Sequence, residues 1–301
     1  MKQLYHVCYS SPDEVMYRDV YDYCMYINVL ALRTFSDELR LLADAELSDH
    51  AHHCMYTDKP ARKCGDIRHS YTSHFNARYH RSGRLGEIGC FCSPLSGQRH
   101  ITACLSYILR NGLHHGLAAS AFGYPFSSIH EMFTKELHMN TSYSPSKKLK
   151  LPRKSKYPDE YRMDENGIFL RSSFMEIGLA ESYFISPRNF LYMMNRPSDE
   201  RWKNEQMADN TSAEPITLSL AEPTFLDRKI AELADNETGR RFDPSKMDDL
   251  ALCHLIDHEI VPSFKASSIY ELPRTVRTDI ANSLYSRYHL PRKQIARCMV
   301  V

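Results

Sequence analysis

Ser48-Asp49-His50-Ala51-His52-His53-Cys54 is the stretch whose reading decides the fold. Two histidines at i and i+2 on an extended strand project from the same face, so both imidazoles can reach one divalent ion. His53 alternates to the opposite face, whereas Cys54 returns to the first. Residues 50 to 57 therefore read as a strand, one that needs a facing layer to supply further groups.

That layer is Tyr107-Ile108-Leu109-Arg110-Asn111, where a phenol and an amide at i and i+4 share one helix face. A phenol, an amide and two imidazoles meeting on one cation suit the cleavage of a phosphodiester: the metal polarises the phosphate and the tyrosine attacks it. Neither motif is specific alone. His-x-His arises by chance in a chain with 15 histidines. A tyrosine in an apolar helix is also an ordinary packing residue. A zinc site built from His50, His52 and Cys54 is the direct competitor.

The surrounding chain reads as alternating strands and helices. Residues 3 to 9 alternate and carry β-formers, and residues 18 to 40 carry an apolar helical stripe. Ile67 to Tyr79 repeats apolar groups at helical spacing, Ser82-Gly83-Arg84 is a turn, and residues 88 to 93 form a strand. His100 to Asn111 is a further helix, with Gly112 expected as a left-handed cap. This order predicts an α+β sandwich of ferredoxin-like type, with the histidine strand in the sheet centre facing the Tyr107 helix.

The 301 residues suffice for one large domain or two smaller ones, and 43% hydrophobic with 25% charged residues is ordinary for a globular chain. No apolar run approaches the roughly 18 residues of a membrane span, and the opening residues lack the apolar stretch of a signal peptide. The nine cysteines are scattered and odd in number, which fits free thiols, so a cytoplasmic protein is expected. A net charge of +1 conceals an asymmetry. Acids dominate residues 10 to 58. From Lys59 to Arg110, Arg62, Lys63, Arg68, Arg78, Arg81, Arg84 and Arg99 stand against only Asp66 and Glu87. A basic face of that kind suits nucleic acid.

Residues 1–135 thus form the expected catalytic domain and 136–224 a basic linker with a small accessory region, in which Asn166-Gly167 marks a hairpin turn. Residues 225–301 are expected to be a helical module, set off by the polar stretch 200–222. Its end reads as helix (Thr275 to Tyr288), break (His289-Leu290-Pro291) and short basic helix. This is the outline of a helix-turn-helix with Arg292, Lys293, Gln294 and Arg297 outward, although a helical hairpin for packing or dimerisation fits equally.

Five motifs in order carry a resemblance: Tyr5-His6-Val7, Ser48 to His53, Tyr71-Thr72-Ser73-His74-Phe75-Asn76 with Ser82-Gly83, Tyr107 to Leu117, and Tyr124-Pro125-Phe126-Ser127-Ser128. With them, residues 4 to about 130 resemble the single-tyrosine HUH transposases, in particular the REP-associated tyrosine transposases and their insertion-sequence relatives. The resemblance implies a ferredoxin-like HUH nuclease sandwich with a central antiparallel sheet, followed here by a mainly helical C-terminal region. It implies cutting and rejoining of single-stranded or hairpin DNA with Mg²⁺ or Mn²⁺, through a 5′-phosphotyrosine intermediate. Carried over, Tyr107 is the nucleophile, and His50, His52 and Asn111 are the metal ligands. Arg78, Arg81 and Arg84, with Arg292, Lys293 and Arg297 of the tail, are the expected DNA contacts. No membrane partner is expected, and a homodimer is left open.

The chain departs from the family pattern in places. Gly89-Cys90-Phe91-Cys92-Ser93 lacks two cations that the family commonly carries, Ser106 stands where an arginine often precedes the tyrosine, and Gly112 replaces a proline. A domesticated relative that binds single-stranded DNA without cutting it, and a zinc-stabilised binding protein, are the alternatives.

Overall fold

Strand β3 (His50–Thr57) lies between β2 (Arg40–Leu47) and β1 (Gln3–Ser10), and β4 (Phe91–Pro94) closes the far edge of β1. The sheet order is β2-β3-β1-β4, with every neighbouring pair antiparallel. The computed structural model describes residues 2–36, 39–87, 89–139, 143–152, 154–195 and 242–301. The polar stretch 200–222 and the first part of the expected tail module, up to residue 241, lie outside the described residues.

Helices α1 (Val20–Ser36) and α2 (Pro60–Tyr79) cover one face of the sheet. Their apolar stripes, including Tyr26, Ile27 and Leu30 from α1 and Ile67, Tyr71 and Phe75 from α2, pack with Val7, Ala51 and Met55. Helix α3 (Gln98–Leu109) covers the other face through Ile101, Cys104, Leu105 and Ile108, which pack with Leu4, Ala45 and Cys54. A four-residue turn of helix, α4 (Asn111–His114), follows it, and then α5 (Thr134–Leu137). The hairpin of α6 (Ile177–Phe184) and α7 (Pro187–Asn195) joins this second layer through Phe184, Phe190 and Met194.

Several sequence expectations are corrected here. The helix expected over 18 to 40 ends at Ser36, and Arg40–Leu47 is a strand. Leu, Ala, Asp and Glu have weak strand preference, so it is pairing with β3 that makes the strand. A bulge between Leu41 and Ala43 turns Leu42 and Ala43 both toward the α3 layer. The linker is pinned where Leu149 is buried and its N–H donates to the Asn166 carbonyl at 2.8 Å. The expected turn forms at Gly167, whose φ of +79° suits glycine.

Gly112 is not a left-handed cap. A Cβ there would lie 2.1 Å from Cγ of Tyr124, so glycine is needed for close approach. Tyr124 begins the segment that runs along edge strand β2. Phe126 O accepts from Glu46 N, Ser127 bridges Ala45, and Ser128 Oγ accepts from Asp44 N.

The tail contributes α8 (Asp249–Leu255), α9 (Arg274–Tyr288) and α10 (Arg292–Met299). It is not free-standing: its core of Leu252, Ile256, Ile280, Leu284, Ile295 and Met299 takes in Val15 from the loop before α1. Arg18 of that loop is fully buried and forks onto both oxygens of Asp257 at 2.8 Å, while donating to the Cys298 carbonyl at 3.0 Å.

The Gly112–Tyr124 contact is testable by stability. Gly112→Ala should cost about 1–3 kcal/mol by overpacking, read as a lower urea midpoint with an unchanged denaturant slope.

Candidate active site

Because β3 is a central strand, its alternation commits each histidine to one layer. His50 and His52 face α3, and both are buried. His53 turns to the α1 side, where its Nε2 is 2.8 Å from the Tyr26 hydroxyl. The sheet register then supplies partners. His52 stands opposite Cys8, and its Nδ1 is 3.0 Å from Nε2 of His6 on the same strand as Cys8. With the proton on Nδ1, His52 donates to His6 and keeps a lone pair on Nε2, 3.9 Å from Cys8 Sγ. His50 Nδ1 donates to Asp49 Oδ1 at 2.7 Å, which likewise places a lone pair on Nε2.

Tyr107 projects from α3 onto this pair. Its ring meets His52 edge-on with centroids 5.3 Å apart, and meets His6 at 5.8 Å. The side chain is only 6% exposed. Asn111 does not share a continuous helix with it, because the register breaks at Arg110, and Asn111 opens α4. One turn later, the His115 ring lies 4.8 Å from that of His50, which sets α4 against the histidine pair.

Burial favours the neutral form of His52 and His6. It pushes His52 well below the ordinary histidine value, reinforced by the neighbouring His50 and His6. His6 falls to about 3, chiefly by burial and then by His53. Burial alone would push Asp49 up, but Arg297 and His50 hold it well below the usual carboxylate range. A neutral imidazole with a fixed proton on one nitrogen is the form that ligates a metal.

The donor set fits a divalent ion. Asn111 is fully buried, and neither its Oδ1 nor its Nδ2 has a hydrogen-bond partner, a costly state for an amide unless another group takes it up. Two imidazole nitrogens with an amide oxygen suit Mn²⁺, and Mg²⁺ less closely. The zinc alternative needs Cys54 as a third ligand. Cys54 packs in the apolar α3 layer, and among the described residues no three His, Cys, Asp or Glu side chains are grouped to hold a metal.

The expected DNA contacts divide. Arg78 pairs with Asp19 and Asp22, and Arg81 forks onto Glu14 at 2.6 and 2.7 Å. These acids occupy the guanidiniums expected to meet phosphate. Arg84 is exposed, with Nε 3.4 Å from the Gly86 carbonyl. Arg292 and Lys293 are exposed as expected, the former over the Tyr285 ring at 4.0 Å. Arg297 is not outward: its side chain is 11% exposed and pairs with Asp49 and Asp249. Gln294 is also turned inward, donating to the Met247 carbonyl at 2.9 Å. His6, Asp49 and His115 are the site residues that sequence reasoning missed. Their signals were strand pairing for His6, adjacency to His50 for Asp49, and one-turn spacing from Asn111 for His115.

No protein-family model matches the chain, and no curated protein matches it. Among solved structures, a REP-associated tyrosine transposase bound to a REP hairpin is similar with a TM-score of 0.40, at 14% identity over 46% of this chain and 83% of that one. No described helix is long and apolar enough to cross a membrane.

The buried histidines make stability depend on pH. His53 is lowered from 6.5 to about 4 in the fold, chiefly by burial. Between those values the unfolded chain binds a proton that the folded one does not, so stability falls as pH drops from 6.5 toward 4. The loss is on the order of 3 kcal/mol for this group. Urea unfolding at a series of pH values should show it, and His53→Gln should flatten the slope in that window.

Proposed function

We propose that this chain is a metal-dependent single-tyrosine nuclease of the transposase type, built on a ferredoxin-like HUH sandwich, that cuts and rejoins single-stranded or hairpin DNA. The observation that carries this reading is the packing of the Tyr107 ring against the His52–His6 pair, above the strand that also presents His50. The five sequence motifs support it independently. His50, His52 and Asn111 would hold the ion. A bound Mg²⁺ or Mn²⁺ would supply Lewis-acid polarisation of the phosphate oxygens.

In this reading the Tyr107 oxygen attacks the scissile phosphorus. The new bond is a 5′-phosphotyrosine, the broken one is the phosphorus–O3′ bond, and the phenolic proton ends on the departing 3′-hydroxyl. The covalent bond retains the energy of the original diester, so rejoining to another 3′-end needs no nucleotide triphosphate. Tyr107 is buried, so its oxygen has to become more exposed before a strand can reach it. That burial, with Arg78 and Arg81 held by acids, favours the second reading: a relative that binds single-stranded DNA without cutting it.

One experiment separates the two. Incubation with labelled single-stranded hairpin DNA and Mn²⁺, resolved on a denaturing gel, should give a covalent protein–DNA adduct. Tyr107→Phe keeps ring packing and removes the nucleophilic oxygen, so the adduct should vanish while strand binding persists. His50→Ala and His52→Ala should also lose it, whereas His53→Gln, on the other face, should retain it. Binding without any adduct in the unmodified protein would leave the non-cleaving reading standing.

A further inference from the structure

Both oxygens of Asp49 are engaged. Oδ1 accepts from His50 Nδ1 at 2.7 Å, and Oδ2 accepts from a terminal nitrogen of Arg297 at 2.6 Å. The other terminal nitrogen of Arg297 donates to Asp249 Oδ2 at 2.6 Å, and the same oxygen accepts from Ser48 Oγ at 2.6 Å. Asp49, Asp249 and Arg297 have side chains 8%, 7% and 11% exposed, so this chain of bonds is largely shielded from water. It runs from the last helix, α10, through the first turn of α8, to the residues that open β3.

The arrangement is specific to arginine. A guanidinium offers a rigid fork that can hold two carboxylates at once, which a single ammonium on a flexible stem does not reproduce. Without that cation, Asp49 would be a shielded carboxylate with the His50 ring as its remaining side-chain partner. Such a group relaxes toward water, because an uncompensated buried charge is strongly unfavourable. The relaxation would release the His50 ring, whose orientation depends on the Asp49 contact.

We propose that Arg297 is a positioning residue for the candidate site: acting through Asp49, it fixes the His50 ring with Nε2 presented as a ligand, so the C-terminal helices complete the site. The metal-binding part of this statement rests on the nuclease reading above, whereas the positioning part does not. It also assigns Arg297 a role other than DNA contact. Outer-shell carboxylates of this kind typically alter metal affinity by about 10- to 100-fold when lost.

The test uses the full chain carrying ¹⁵N-labelled histidine, as wild type, Arg297→Met and Arg297→Lys. NMR of the metal-free protein follows the His50 Nδ1 proton, and electron paramagnetic resonance of free Mn²⁺ follows binding. In Arg297→Met the His50 proton signal should shift or be lost through exchange, and Mn²⁺ affinity should fall by about 10-fold or more. Arg297→Lys should lie between, because it serves one carboxylate at a time. Should Arg297→Met not fold, the lysine variant decides alone: an unchanged His50 resonance there overturns the proposal. A folded Arg297→Met with wild-type His50 signal and affinity overturns it as well, even if DNA binding weakens. If wild type binds no Mn²⁺ while the His50 signal responds to both substitutions, positioning is supported and the nuclease reading fails.

Discussion

Burying an imidazole is tolerable only when its ring nitrogens find partners, and β3 buries three of them, His50, His52 and His53. Each obtains its partner from a different part of the chain: Asp49 for His50, His6 of β1 for His52, and Tyr26 of α1 for His53. A one-residue slip of β3 would exchange the two faces and separate the His52–His6 and His53–Tyr26 pairs at once. The register with β1 and β2 is therefore held by polar satisfaction as well as by apolar packing. The candidate site inherits its geometry from that register.

Three arginines, two of them buried and the third largely shielded, perform a comparable task at longer range. Arg18 ties the loop before α1 to Asp257, Arg171 reaches Asp44 and Glu46 on β2, and Arg297 reaches Asp49. In each case a late segment is joined to the first 50 or so residues of the chain. Charges buried this way add little net stability, yet losing one partner is severe, because the other is left uncompensated. Their effect is to fix which segment lies against which. On that account the tail is bound into the architecture, and its helix pair has one arginine directed inward where a DNA reader would direct it outward.

Much of the fold was legible in the sequence because it follows from local periodicity. Strand β3, the facing helix with Tyr107 and the two C-terminal helices were read from spacing alone. Strand β2 was not read from the sequence because Arg40–Leu47 carries residues of weak strand preference, among them two acids, Asp44 and Glu46. Both are buried against Arg171, a partner 125 or more residues away. The basic run after Lys59 misled for a related reason. Arg78 and Arg81 were read as a surface, while the acids that neutralise them, Glu14, Asp19 and Asp22, lie in the preceding acidic segment. The charge asymmetry along the sequence is partly cancelled by folding one segment onto the other.

By itself, the sequence determined which side chains share a face, because strand and helix periods are properties of the backbone. His50 with His52, and His53 opposite them, follow from that alone. Tertiary structure decided which faces meet and which charges remain available. Only it broke the helix at Arg110 so that Asn111 opens a separate turn, set Tyr107 against His6 and His52, and turned Arg297 inward to Asp49. The physical reason is that pairing of buried polar groups depends on distance in space, and residues such as Asp49 and Arg297, 248 positions apart, carry no local signal of one another.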